Sequence, residues 1–288
     1  MTLGSTTTSF LGFCGKALAL AALCTNVLAQ MVFPQHAPYP GGVAVVKLSE
    51  STTAVLDVTY LGNRVLTVKR EEGLYGIVGI PLDAVPGMQK IHVAAGQNTV
   101  QVVYETSFEI EPKTYPMQHL KIAPRFLQLS PENQQRNERD QPLIAAAKKH
   151  RSDTPPATLL LDLPAAGRLS ARFGIRRTLN GKPSWPHGGL DVAISTGTPL
   201  RAAADGRIIA TDDYFYSGKS VWVDHGQGFI TLYIHMSRID VKEGDAVARG
   251  AVLGLSGATG QVTGPHLHWA VLLNGTYVDP ELFLRRSR

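Results

Sequence analysis

Residues 264–275 read Gly-Pro-His-Leu-His-Trp-Ala-Val-Leu-Leu-Asn-Gly. The run from His266 is short, apolar and rich in β-forming residues, and Asn274-Gly275 is a strong signal for a two-residue hairpin turn. In a strand, side chains two apart lie on one face, so His266 and His268 would point the same way. In a helix they would point about 200° apart. The segment therefore predicts a strand that presents two imidazoles on one face.

The residues before this strand predict a β-hairpin. Residues 220–224 and 229–235 are two strand-like runs, and the segment His225-Gly-Gln-Gly228 between them reads as a four-residue glycine loop. Alternation along the second run places Thr231, Tyr233 and His235 on one face. Helix-period stretches are few in the chain. We expect a mainly β protein.

A third motif, His187-Gly-Gly-Leu-Asp191, joins an imidazole and a carboxylate at a spacing of four. This spacing puts both side chains on one side in an extended or a helical segment. Five of the nine histidines lie between His187 and His268. Two histidines and one carboxylate fit the ligand count of catalytic zinc, which keeps a position open for water and activates that water for hydrolysis. The remaining histidines could move protons or stabilise developing charge.

The order His-x-x-x-Asp, then Tyr233-Ile-His235, then Gly264-Pro-His-Leu-His268 resembles the M23 family of peptidoglycan endopeptidases, the lysostaphin- and LytM-like enzymes. The likeness covers residues 168–284 and includes Arg172-Phe-Gly-Ile-Arg176 and residues 254–260, Gly-Leu-Ser-Gly-Ala-Thr-Gly.

The resemblance implies roles for five side chains. His187, Asp191 and His268 would bind one Zn²⁺ per chain, and His235 and His266 would be the catalytic pair. It also implies a compact antiparallel β core with the zinc at the floor of a groove. A Gram-negative setting suggests D,D-endopeptidase action on D-Ala–diaminopimelate crosslinks, with peptidoglycan stem peptides as the binding partner.

The N-terminal region, residues 30–125, predicts an immunoglobulin-like β-sandwich. It contains short strand-like runs separated by Gly, Ser and Asn turns. The predicted strands are Val43–Leu48, Ala54–Tyr60, Arg64–Lys69, Tyr75–Ile80, Ile91–Ala94 and Thr99–Tyr104. The region is similar to the β domain that precedes the peptidase in many Gram-negative members. His92 and His119 stand alone in it, and we interpret them as structural or solvated.

Residues 126–157 form a polar stretch between the two predicted domains, and the peptidase domain would occupy residues 158–288. Ser130 can cap a helix that has Pro131 at its first position. We expect a solvated linker helix, broken at Pro142. An alternative is that this segment covers the active site.

Residues 1–29 have the composition of a secretory signal peptide. Lys16 precedes an apolar run that is too short to span a membrane, and Val-Leu-Ala29 is a small-residue cleavage site. Both cysteines, Cys14 and Cys24, lie in this segment, so the mature protein would have neither disulfides nor thiol catalysis. We expect an exported protein of the periplasm or cell envelope, with no membrane span in its mature form.

Two other functional classes compete with the peptidase. The first is a non-catalytic relative that activates another cell-wall hydrolase, but such proteins have lost metal ligands that are present here. The second is a biotinyl- or lipoyl-type carrier, which residues 241–250 resemble, although no lysine lies at the expected turn. A formal charge of +5 is mild and does not indicate nucleic-acid binding. His225, next to the hairpin loop, is interpreted as structural.

Overall fold

The computed structural model describes residues 1–2, 31–50, 56–95, 102–121 and 129–285. The described residues from Met31 onward form one compact unit. The predicted signal peptide, and parts of the predicted strands at 54–55 and 99–101, lie outside the described residues. Among the described residues, no helix has the length and apolar character to cross a membrane.

The N-terminal region is a β-sandwich, as predicted. Its strands are β1 (Val43–Ser49), β2 (Leu56–Tyr60), β3 (Asn63–Arg64), β4 (Leu66–Arg70), β5 (Gly73–Gly79), β6 (Gly87–Ala95) and β7 (Val102–Ile110). One sheet has the order β1-β5-β4 and the other β3-β2-β6-β7, and both are antiparallel. Alternating apolar side chains from the two sheets, among them Val46, Tyr60 and Ile91, share one buried core.

The C-terminal region is built on one large, mostly antiparallel sheet, which confirms the mainly β prediction. Its strands are β9 (Arg168–Ala171), β12 (Leu190–Ala193), β13 (Pro199–Arg201), β14 (Gly206–Tyr214), β15 (Gly218–Gly226), β16 (Phe229–Ile239), β17 (Ala246–Val247), β18 (Val252–Ser256), β19 (Leu267–Leu273) and β20 (Thr276–Val278). The strand order is β17-β14-β15-β16-β19-β12-β9, with β13, β18 and β20 paired beside this path. A 3₁₀ helix, Pro280–Phe283, follows the last strand.

A small sheet joins the two regions. Strand β8 (Met117–Leu120), which follows the sandwich in the chain, pairs in parallel with β10 (Arg176–Leu179), and β10 pairs with β11 (Lys182–Ser184). The β10–β11 hairpin leads directly into the segment that carries His187. The sandwich region therefore contributes a strand to the wall beside the histidine motifs.

The large sheet has two different faces. Its inner face carries Tyr233 and Trp269 and packs in one core with residues of the sandwich such as Leu66 and Ile77. Its outer face carries alternate residues of the same strands, where Leu232 pairs with Ala270. The two regions thus share a continuous apolar core.

Polar contacts also connect the sandwich to the sheet. The buried Asn274 side chain accepts a hydrogen bond from Gly79 N at 2.7 Å and donates one to Gly79 O at 3.0 Å. Gln227 Oε1 accepts from Thr67 N at 3.0 Å. Both side chains belong to tight turns of the large sheet, so the register of these turns sets the docking of the sandwich.

The helix α1 (Pro131–Lys149) begins as predicted but is not broken at Pro142. Ser130 Oγ accepts a hydrogen bond from Asn133 N at 3.2 Å, and Pro131 lies in the first turn. The predicted break is wrong because a missing N–H costs one intrahelical bond, whereas packing on the sheet holds both halves of the helix. Asp140, before Pro142 in the helix, and Ala147, after it, are both buried.

The helix is also less solvated than predicted. Ile144 and Ala147 pack on the outer face of the large sheet against a cluster that includes Trp222 and Leu272. The same cluster includes Ile234, which pairs with His268. The alternative that the segment covers the active site stays a prediction.

Candidate metal centre

Three of the predicted site residues converge on a common point. Asp191 on β12 lies directly opposite His268 on β19, and His187 precedes β12 in an extended segment. Asp191 Oδ1 lies 2.9 Å from His187 Nε2 and 2.8 Å from His268 Nδ1, and the two imidazole nitrogens are 2.9 Å apart. Across the described residues, this trio is the group that could hold a metal ion.

The orientation of His187 is fixed by the backbone. Its Nδ1 lies 2.8 Å from Arg172 O. A carbonyl oxygen only accepts, so Nδ1 carries a proton and Nε2 is the nitrogen turned towards Asp191 and His268. An outer partner of this kind is the usual device that sets the tautomer of a metal-binding histidine. Arg172 thus acts through its carbonyl, which sequence reasoning did not single out.

Gly189 allows the strands to approach at this point. A Cβ atom on it would lie 2.4 Å from Trp269 O and 2.7 Å from His268 Nε2. Any side chain would therefore displace the strand that carries His268. This close approach explains a glycine between His187 and Asp191.

Asp191 is electrostatically prepared as an anion. Burial alone would raise the pKa of its carboxyl, but hydrogen bonds from His187 and His268 outweigh burial and hold that pKa well below its usual range. Arg177 Nη2 lies 4.0 Å from Asp191 Oδ2 and adds positive charge. Burial lowers the pKa of the His268 imidazole. The centre therefore offers one carboxylate and, at His268, a neutral imidazole, which are forms that bind a divalent metal.

His235 reaches the centre by a route that alternation does not predict. The predicted common face of Thr231, Tyr233 and His235 is wrong. Tyr233 is buried in the inner core, and its hydroxyl accepts a hydrogen bond from Ala203 N at 2.9 Å. The His235 ring instead lies on the outer side, with its centroid 4.8 Å from that of His266 and 6.3 Å from that of His268.

A β-bulge causes this reversal. Tyr233 pairs with Val221 but Met236 pairs with Lys219, so between these two pairs β16 has two residues where β15 has one. His235 is the extra residue of this bulge, and its backbone has a left-handed φ of 65°. Such a conformation costs a non-glycine residue about 1–3 kcal/mol and persists where the surroundings hold it.

Two backbone carbonyls hold His235 in place. Its N–H donates to Ser217 O at 2.9 Å, and its Nδ1 donates to Thr259 O at 2.9 Å. Burial lowers the pKa of the imidazole to about 4, with the Thr259 hydrogen bond acting in the opposite direction. The ring is therefore neutral at pH 7, with Nε2 as the acceptor.

His266 lies beside the trio. Its Nδ1 donates to Gly264 O at 2.9 Å, which leaves Nε2 towards Asp191 Oδ1 at 3.8 Å. The side chains of His266, Asp191 and His268 are 19%, 15% and 15% exposed. The five side chains singled out from the sequence thus lie together; solvent reaches His266, Asp191 and His268, whereas His187 and His235 are buried.

His225 lies outside this group. Its two ring nitrogens are 2.8 Å from Asp205 O and from Thr231 Oγ1, within the inner part of the sheet. The predicted four-residue loop is wrong, because β15 continues to Gly226, which pairs with Phe229. Gln227 and Gly228, both at positive φ, form a two-residue turn.

Comparisons with known proteins relate both regions of the chain to one peptidase family. Residues 185–280 match Peptidase family M23, and residues 36–113 match the Peptidase family M23 N-terminal domain. A crystal structure of a protein assigned to peptidase M23 from Pseudomonas aeruginosa is 42% identical, covers 85% of this chain and 94% of its own, and superposes with a TM-score of 0.72.

Curated relatives are similar over the C-terminal region. Peptidoglycan DD-endopeptidase ShyA of Vibrio cholerae is 42% identical over 113 residues, which are 39% of this chain and 26% of ShyA. DD-carboxypeptidase/endopeptidase Mpg of Neisseria meningitidis is 41% identical over 113 residues, with the same two shares. The chain spans about a quarter of the length of these curated relatives.

Proposed function

The chain belongs to Peptidase family M23 and is a metallopeptidase; from that premise we propose that it uses one bound zinc ion to hydrolyse the peptide crosslinks of bacterial peptidoglycan. The observation that carries the proposal is the convergence of His187 Nε2, Asp191 Oδ1 and His268 Nδ1 within 2.9 Å of one another. These atoms are the proposed metal ligands.

The donor set fits zinc. Zinc accepts imidazole nitrogens and carboxylate oxygens as ligands, and three protein ligands are usual for a catalytic site. Zinc in such a site supplies a Lewis acid that activates water and polarises an amide carbonyl. The carbonyl of Arg172 holds His187 in the ligating tautomer, and Arg177 stands behind the carboxylate of Asp191.

We assign proton transfer and charge stabilisation to His235 and His266. Each ring donates through Nδ1 to a backbone carbonyl, so each Nε2 can accept a proton and, once protonated, donate a hydrogen bond. Their ring centroids are 4.8 Å apart. At this separation, one imidazole can face the attacking water while the other faces the carbonyl oxygen of the same peptide bond.

The proposed substrate follows from the relatives. ShyA, ShyB and ShyC of Vibrio cholerae are named peptidoglycan DD-endopeptidases. For this chain we propose the D-Ala–diaminopimelate crosslink, with export to the periplasm or cell envelope as the setting. The corresponding domain division is a sandwich at 30–125, a helical connector at 126–157 and a peptidase domain at 158–288.

The test uses the full chain after removal of residues 1–29. Purified peptidoglycan with D-Ala–diaminopimelate crosslinks is digested, the fragments are identified by mass spectrometry, and zinc is measured by elemental analysis. We expect one zinc per chain, conversion of crosslinked dimers to monomers, loss of hydrolysis on chelation and its return with zinc. His268→Ala should be inert, and His92→Ala, which alters an exposed histidine of the sandwich, should match the wild type.

The outcomes separate the candidate functions. A chain without zinc that leaves every crosslink intact, but stimulates a second wall hydrolase, would be the non-catalytic activator. If the chain leaves D-Ala–diaminopimelate bonds intact but cleaves a second, glycine-bridged peptidoglycan, the chemistry is kept and the proposed substrate is overturned. Equal zinc content in wild type and His268→Ala would overturn the ligand set.

A further inference from the structure

Helix α1 carries a buried carboxylate that contacts the large sheet near the metal centre. Asp140 is 1% exposed. Its Oδ2 accepts a hydrogen bond from Phe215 N at 2.6 Å, and its Oδ1 accepts one from Arg139 Nε at 2.7 Å. A buried carboxylate is costly unless it is paired and hydrogen-bonded, and here it is both. Phe215 is the first residue of the turn between β14 and β15.

Two arginines of the helix bond to Asp213, which lies in β14 two residues before Phe215. Arg136 Nη2 donates to Asp213 O at 2.8 Å and to Asp213 Oδ1 at 2.9 Å. Arg139 Nη2 also reaches Asp213 O, at 3.3 Å. Charge-assisted bonds of this kind are stronger and more directional than neutral ones. The β14–β15 turn, residues 215–217, is thereby fixed to α1.

The same turn supports His235. Ser217 O accepts the His235 backbone N–H at 2.9 Å. The next residue, Gly218, lies against the second support, because a Cβ atom there would be 2.3 Å from Thr259 Oγ1. Thr259 Oγ1 accepts from Lys219 N at 2.9 Å and donates to Met236 O at 2.7 Å. The turn and Thr259 therefore hold the backbone and the ring of His235 as one unit.

From this geometry we propose that Asp140 is a positioning residue for His235, acting through the β14–β15 turn; the assignment rests on the proposed function of His235. The bulged, left-handed backbone of His235 needs supports outside its own strand. Asp140 fixes Phe215, and Phe215 is two residues from the carbonyl that binds His235. The connector helix is thus part of the catalytic framework.

The test compares Asp140→Ala with Asp140→Asn in the full zinc-loaded chain. Alanine removes both hydrogen bonds, whereas asparagine keeps an oxygen for Phe215 N–H. Glu138→Gln is the matched control, since Glu138 is an exposed carboxylate of the same helix that bonds to Gln134. Amide hydrogen exchange of His235 is measured by NMR, and kcat and KM are measured on crosslinked muropeptide dimers.

For Asp140→Ala we expect the His235 amide to exchange at least about tenfold faster and kcat to fall about tenfold, with KM and zinc content unchanged. Asp140→Asn should recover most of both losses, and Glu138→Gln should show neither. Exchange needs no substrate. If the wild-type chain proves inactive, the proposed function is overturned, but faster His235 exchange in Asp140→Ala would still support the positioning role. Unchanged exchange at His235 in both Asp140 variants would overturn the positioning role, as would equal losses in Asp140→Ala and Asp140→Asn.

If Asp140→Ala does not fold, Asp140→Asn decides. Wild-type exchange and kcat in Asp140→Asn support the proposal, and a loss that Asp140→Asn shares with Glu138→Gln overturns it.

Discussion

The two ends of the outer face of the large sheet are built from the same two strands but do different work. At one end Ile230 pairs with Leu272 and Leu232 with Ala270, and α1 packs over them. One step further, Ile234 pairs with His268, and the face carries metal-binding chemistry. We call these the covered end and the open end.

The comparison shows that strand alternation decides the face but not its purpose. Every second residue of β19 from 268 to 272 points outward, and that rule is obeyed at both ends. What differs is the presence of the helix, which removes apolar area from water at the covered end. Beyond the contacts of Ile144 and Ala147, the same face can be polar, open to substrate and supplied with a ligand from β12.

The largest effect should come from giving the open end a side chain of the covered type. We expect His268→Leu to lower hydrolysis by roughly a thousandfold or more, equivalent to at least about 4 kcal/mol of transition-state stabilisation, because the proposed zinc loses a ligand. The unfolding free energy of the zinc-free protein should change by at most about 2 kcal/mol, since Asp191 keeps its hydrogen bond to His187.

Zinc content by elemental analysis and chemical denaturation after chelation check this prediction. His92→Leu makes the same exchange at an exposed position of the sandwich and should alter neither quantity. A His268→Leu protein that retains zinc and turnover would break the distinction between the two ends.

The second effect concerns His235, which reaches the open end through its bulge. Asparagine tolerates the left-handed conformation but lacks the imidazole. We expect His235→Asn to lower kcat by about 10²–10⁴, the usual contribution of a proton-transfer group, while zinc content stays at the wild-type value. Loss of zinc together with activity would instead make His235 a ligand.

The third effect belongs to the covered end. Leu272 is fully buried beneath α1, and Leu272→Ala should cost about 2–5 kcal/mol of stability through lost burial and a residual cavity. Turnover per folded molecule should stay within about twofold of wild type. Denaturant unfolding and active-site titration with zinc measure the two quantities, and a strong fall in turnover at full folding would show that the ends are coupled.

The sequence predicts the open end unevenly, for physical reasons. His266 and His268 follow from the short β19 run and its turn, because alternation and a hairpin signal are local properties. His235 could be named from its motif but not oriented, since a bulge is set by pairing with β15, which alternation within β16 does not report.

Asp140, unlike the histidines, could not be recognised from the sequence. It sits in a charged, amide-rich stretch that reads as solvated, and its burial depends on the docking of α1 against the β14–β15 turn. Pro142 likewise suggested a break that tertiary packing overrides. A helix whose role comes from distant contacts carries little signal in its own residues.

The smallest effect tests how firmly that helix is tied to the covered end. Ser130 Oγ caps α1 by accepting from Asn133 N, at the end of the helix away from the buried Ala147. Ser130→Ala should cost about 1 kcal/mol of stability and leave turnover unchanged, because Asp140 and Ala147 lie beyond the first turn. Ser130→Asp supplies a charged cap and should restore the loss. If Ser130→Ala reduces kcat as Asp140→Ala does, the first turn must also support His235, and the boundary between the covered and open ends would have to include the whole helix.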